Sequence, residues 1–282
     1  MITEILVHLD GSSDDEYRLL HAEHLATAHR AHIRGLYCES LPEIVLTLPQ
    51  YAVSRGVASE QMSELKAQAD RTEKAIRLRL DKLSVPYDLR RFDILLEGVD
   101  RVVASQARTA DLTVVRTPYQ PGFALPGRAP EFVEAALFGS GRGVFVVPEE
   151  EPARLRPLDT VLVAWTDSKE AANAVAQAMP FLKKATQVVV AMVEGDKPAE
   201  AGGTEPGADV ARYLDRHGVT VELRHLREWN TVSEALFNEA KRLDAGLLVA
   251  GAYGHSRLRE WVLGGVTRDI LTKTPLPALL AH

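Results

Sequence analysis

Short, nearly unbroken apolar runs alternate along the chain with longer stretches that are apolar only at every third or fourth position. In the second half this pattern predicts strands over 160–165, 186–193, 219–226, 246–250 and 277–281. Between them it predicts helices over 168–184, 207–217, 231–242, 257–262 and 266–272. Runs such as "QVVVAMV", apolar on both alternating faces, suit strands of a sheet covered on both sides. Regular alternation of strand and helix implies right-handed βαβ units and a parallel sheet.

The first half repeats the order. "ILVHLDGSSDDEYRLLHAEHLA" from Ile5 parallels "VLVAWTDSKEAANAVAQAMPFL" from Val161. "ADLTVVRTPY" from Ala110 parallels "AGLLVAGAYG" from Ala245, and "GVFVVP" parallels "PALLAH". Capping signatures are expected at Ser13 with Glu16 and at Asp167 with Glu170. The first half carries an insertion over 40–56, followed by a helix marked by Met62, Leu65, Ala69, Ile76, Leu80 and Leu83. "PEEEPARLRP" at 148–157 reads as a linker. The expected organisation is therefore a domain over 1–150 and a second over 157–282.

Composition fits two soluble globular domains, with 46% hydrophobic and 26% charged residues. The net charge is −6; residues 1–152 carry 17 Lys and Arg against 23 Asp and Glu, and the rest carry 16 of each. Neither half offers the basic field that nucleic acid requires. No signal peptide or bilayer-length apolar run is read, so a cytoplasmic protein without a membrane partner is expected. The single cysteine, Cys38, allows no intramolecular disulfide.

"GAYGHSRLREWVLGG" at 251–265 concentrates the candidate chemistry. Gly251 ends a strand, where ligands of doubly wound sheets bind. Gly254 allows a turn with φ > 0, and Ser256 is the expected cap of the helix that follows. Gly264 and Gly265 break that helix before another begins. Both glycine sites therefore stand at helix starts, where N–H groups and the helix dipole favour an anion such as phosphate. Two ordinary helix ends would also ask for a bare Gly-x-x-Gly. A second glycine site at fixed spacing favours the phosphate reading.

The spacing Gly-x-x-Gly, nine residues, Gly resembles the nucleotide-binding pattern of the universal stress protein family. The resemblance covers the chain as two tandem domains. It implies an α/β fold: two doubly wound domains, each an open five-stranded parallel sheet flanked by helices, Rossmann-like and adenine nucleotide alpha hydrolase-like. It implies ATP or another adenine nucleotide, with or without Mg2+, and domains paired through their last strands. It also implies a regulator of the stress response, with a homodimer as a further expectation.

Carried over by position, Ala164, Thr166 and Met192 would line the adenosine. Gly251 and Gly254 would lie against ribose and phosphates, with His255 as a phosphate neighbour. Gly264, Gly265, Val266 and Thr267 would hold the phosphates. Thr166 stands where the family has Asp, and Gly265 where it has Ser or Thr. In the first half Arg116 and Tyr119 replace the two motif glycines, so no phosphate loop is expected there. Asp10 is that half's one family-like site residue.

No Walker lysine or paired carboxylates mark a catalytic site. At most weak ATP hydrolysis or nucleotide or phosphoryl transfer remains as an alternative; a scaffold with both sites vestigial is another. His21, His24, His29 and His32 read as one helix surface. At 1.5 Å rise, His21 and His32 would be roughly 16 Å apart, so no metal site is expected from them.

Overall fold

The computed structural model describes residues 1–41, 55–95, 98–118, 128–149, 155–193, 207–227, 229–252 and 265–282. In chain order the first-half elements are β1 (Glu4–Leu9), α1 (Asp14–His29), β2 (His32–Leu41), α2 (Arg55–Leu80), β3 (Tyr87–Leu95), α3 (Val99–Arg108), β4 (Leu112–Arg116), α4 (Arg128–Ser140) and β5 (Gly143–Val147). The second half gives β6 (Thr160–Ala164), α5 (Lys169–Leu182), β7 (Gln187–Val193), α6 (Ala208–Arg216), β8 (Glu222–Leu226), α7 (Val232–Arg242), β9 (Leu247–Gly251), α8 (Gly265–Lys273) and β10 (Ala278–Ala281).

Two compact units result. The first comprises Ile2–Val114 and Glu131–Ser140; the second comprises the described residues of Val115–Pro130 and Gly141–His282. The first has strand order β3-β2-β1-β4, with β1 parallel to both β2 and β4. The second has order β5-β10-β9-β6-β7-β8. Its strands are parallel except β5, which runs antiparallel to β10 with Phe145 opposite Leu279. The sequence repeat and the compact units thus divide the chain differently: β5 ends the first repeat but packs in the second unit.

Apolar runs become fully covered strands. Val161, Leu162 and Val163 of β6, Val188 to Ala191 of β7 and Leu247 to Ala250 of β9 are all buried. Burying one Val or Leu side chain contributes about 1.5–3 kcal/mol, so these central strands anchor the unit. Helix α5 covers β9 and β10 with Ala171, Ala174, Val175 and Ala178, whose small side chains let it lie close. In the first unit Ala69, Ile76 and Leu80 of α2 turn inward as the periodicity requires, while Met62 and Leu65 are half-buried.

Helix ends differ from the expected caps in informative ways. Ser13 has helical backbone angles and no side-chain cap bond. Asp15, the second residue of α1, accepts instead from the N–H groups of Asp10 (3.1 Å) and Gly11 (2.8 Å). In the second unit the cap is Ser168, not Asp167: its backbone is extended and its Oγ accepts from Ala171 N at 3.2 Å. Thr231 caps α7 in the same way. Helix α1 ends at His29, closed by Arg30 with φ 58°. His32 therefore belongs to β2 and not to the helix.

Candidate functional site

Strand order reverses beside β6. The chain moves from β6 to β7 on one side, while β9 lies on the other. Ligands of open parallel sheets bind at such a reversal, outside the carboxyl ends of the strands. Ala164 is opposite Ala191 of β7 and Ala250 of β9. Met192 and Gly251 follow directly, so three of the expected residues reach one end of the sheet. Trp165 N donates to Ala191 O at 2.9 Å and fixes the exit from β6. Thr166 comes next, exposed, with its hydroxyl 3.2 Å from Ser168 Oγ.

Gly251 has a packing reason of its own. A Cβ there would meet Ala171 N at 2.6 Å and Glu170 C at 2.7 Å. The residue lets β9 lie against the first turn of α5, where the side chain of Glu170 is buried. Met192 is held from the other side. A Cβ on Gly207, whose φ is +83°, would stand 2.7 Å from Met192 Cε.

The described part of helix α8 starts at Gly265, which is exposed, and a Cβ at that position would meet none of the described residues within 4 Å. No acidic residue stands in the first turn of α8. Val266 is half-buried and Thr267 is 4% exposed. Asp269 accepts a hydrogen bond from Ser233 of α7 and lies 3.2 Å from Lys273 Nζ, which ties α7 to α8. Gly254, His255, Ser256, Gly264 and the expected helix over 257–262 lie outside the described residues.

The corresponding end of β1 in the first unit is filled by its own side chains. Arg18, 2% exposed, donates to Asp10 Oδ1 and Asp15 Oδ1, both at 2.8 Å, and to His8 Nδ1 at 2.7 Å. An arginine is always a donor, so His8 accepts at Nδ1 and is neutral. Its ring stacks on Phe132 at 4.0 Å. Arg79 of α2 adds bonds to Asp15 Oδ2 (3.0 Å) and Ser12 O (2.9 Å) and pairs with Glu16. Asp10 is thus bound to a guanidinium within its own unit.

These contacts set the ionisation of the cluster. Burial, then Arg18, lowers the pKa of His8 to about 3. For Asp10, burial opposes ionisation, but Arg18, His8 and bonds from Ser12 outweigh it and hold the carboxyl well below its usual range. Burial, reinforced by Asp10 and opposed by Arg18, pushes Asp15 up to about 6. The motifs along the chain do not mark this role of Arg18. Its position on the inner face of α1, beside a strand-end aspartate, is the pattern that would have found it.

Residues 157–282 match the universal stress protein family. No curated protein matches the chain. Among solved structures, a universal stress protein from Archaeoglobus fulgidus DSM 4304 aligns with TM-score 0.68 at 16% identity, over 99% of this chain and 95% of that one. A putative universal stress protein from Pseudomonas aeruginosa UCBPP-PA14 aligns with TM-score 0.53 at 16% identity, over 99% and 93%. The second half of the chain thus carries the match to the universal stress protein family, and the chain along its whole length has the fold of such proteins.

Proposed function

We propose that the chain binds one adenine nucleotide, ATP or ADP/AMP with or without Mg2+, in its second half, and acts as a nucleotide-responsive regulator of the stress response. The observation that supports this is convergence. The ends of β6, β7 and β9 meet at the strand-order reversal within a segment that matches the family. Ala164, Thr166 and Met192 would contact adenosine. Gly251, Gly254 and His255 would face ribose and phosphates. Gly264, Gly265, Val266 and Thr267 would offer N–H groups to the phosphates. The domains of this reading are 1–150 and 157–282, in a cytoplasmic protein that forms homodimers. Weak ATP hydrolysis or nucleotide or phosphoryl transfer is the alternative reading.

The first test is the nucleotide content of freshly purified, denatured protein, read by chromatography and mass. An adenine nucleotide at one per chain is expected. Added ATP should also stabilise nucleotide-free protein, by about 2.7 kcal/mol at 100 times Kd. A melting curve unmoved by millimolar ATP, ADP and AMP would favour a scaffold. Two equivalent sites per chain would overturn the asymmetry between the halves.

Gly265→Ser tests the phosphate contact. The added Cβ meets none of the described residues, so the fold should be unchanged. A new hydroxyl–phosphate hydrogen bond contributes roughly 0.5–3 kcal/mol, so ATP should bind from a few-fold to about a hundredfold tighter. Adenosine, which lacks phosphate, should gain nothing. Equal gains for both ligands in calorimetry would place the phosphates elsewhere.

A further inference from the structure

We propose that Glu4, His32 and Asp88 bind a divalent transition-metal ion, with Zn2+ as its representative, at the start of the first unit's strands. The three stand on neighbouring strands: Glu4 is opposite His32 in the β1–β2 pair, and Arg34 is opposite Asp88 in the β2–β3 pair. Side chains alternate between faces, so Glu4, His32, Arg34 and Asp88 share one face. The group lies at the amino ends of these strands, and the proposal is independent of the nucleotide reading.

The spacing is that of ligands rather than of hydrogen-bond partners. His32 Nδ1 lies 3.5 Å from Glu4 Oε2 and 3.5 Å from Asp88 Oδ1. Both are long for an N–H···O bond, whose usual range ends near ~3.2 Å. Around a tetrahedral zinc with bonds near ~2.0–2.1 Å, neighbouring donor atoms stand roughly 3.3–3.4 Å apart. One donor atom from each of the three residues lies within 4.8 Å of the others. His32 Nδ1 is shielded from solvent and makes no hydrogen bond. The three side chains keep 22–41% exposure, which lets water reach an ion and complete its shell.

Donor type narrows the ion. One imidazole with two carboxylates suits zinc, manganese, cobalt or iron; magnesium and calcium prefer all-oxygen shells. A competitor is built in. Arg34 Nη2 lies 2.5 Å from Glu4 Oε1, and Arg34 Nε lies 3.9 Å from Asp88 Oδ1. Arg90 Nε is 3.4 Å from Asp88 Oδ2. A cation entering here displaces Arg34 from Glu4. Arg34 keeps a partner in Thr109, whose hydroxyl accepts from Nη1 at 3.0 Å. The guanidinium therefore weakens metal binding without blocking it.

Full-length protein stripped with chelator would be titrated with Zn2+ by calorimetry and with Co2+ by visible absorption. One ion per chain is expected at this site. His32→Gln and Asp88→Asn should each weaken binding about tenfold or more. Arg34→Gln, which removes the competing cation, should tighten it. Circular dichroism checks each variant's fold, and the His32 and Asp88 variants carry the test if the Arg34 variant is misfolded. Zn2+ uptake unchanged by His32→Gln and Asp88→Asn would assign the ion to other histidines and overturn the proposal. No uptake by the unsubstituted protein would overturn it as well.

Discussion

Replacing Arg18 by Ala should remove about 3–5 kcal/mol from the stability of the first unit, the cost of taking one partner from a buried ion pair. Asp15 is fully buried and Arg18 nearly so. Without the guanidinium, Asp15 keeps only Arg79 as a cationic partner, Asp10 loses its counter-charge, and His8 loses its donor. Arg18→Met separates charge from packing, because its unbranched chain fills similar space. A loss of the same size in Met and Ala variants would assign the effect to charge. Amide exchange resolved along the chain is the suitable measurement, since each unit is then read by itself. A change below 1 kcal/mol in the first unit would show that the cluster is not a stabilising element.

Mild acid should loosen the first unit and spare the second. Burial lowers His8 to about 3 and His21 to about 4; Arg18 adds to the first shift and His24 to the second. Both folded values lie below the unfolded value near ~6.5. Their contribution is therefore complete above pH 6.5 and is lost as pH falls, by about 1.4 kcal/mol per pH unit for each histidine. Asp15 acts in the opposite direction. Its folded pKa is raised to about 6, so it regains stability as pH falls below that value. From pH 6.5 to 5 the two histidines remove roughly 4 kcal/mol and Asp15 returns about 1.4, for a net loss of about 2–3 kcal/mol. Among the described residues of the second unit, Glu239 is raised by burial, and its sign gives no loss in this window. Exchange protection that falls equally in both units between pH 7 and 5 would refute this assignment.

The strands and most helices were legible because their signal is periodic and local. Five apolar runs in the second half became β6 to β10 within a few residues of the expected ends. Side-chain roles at helix starts were less legible. Asp167 and Ser168 are both good caps in sequence, and only the backbone turn after Thr166 selects Ser168. His32 was assigned to a helix because histidine recurs every few residues before it. The chain instead closes α1 at Arg30 in a left-handed conformation, which a non-glycine residue does not advertise. In sequence, Asp10 is the first half's one family-like site residue. Its binding to Arg18 depends on an α1 side chain reaching the strand end, which no motif encodes. The Glu4, His32 and Asp88 grouping comes from strand register across a long insertion, and spacing along the chain cannot show it.

The antiparallel pairing of β5 with β10 has an evolutionary consequence. Two identical chains joined through such strands are bound by symmetry: any substitution appears in both copies at once. Here the two strands come from different repeats of one polypeptide, so each repeat mutates alone. One half can therefore carry an arginine-filled strand end without imposing it on the other. Covalent linkage also holds the two strands at high effective concentration whatever the protein level in the cell. Joining the repeats in one chain thus keeps the strand pairing while letting its two sides diverge.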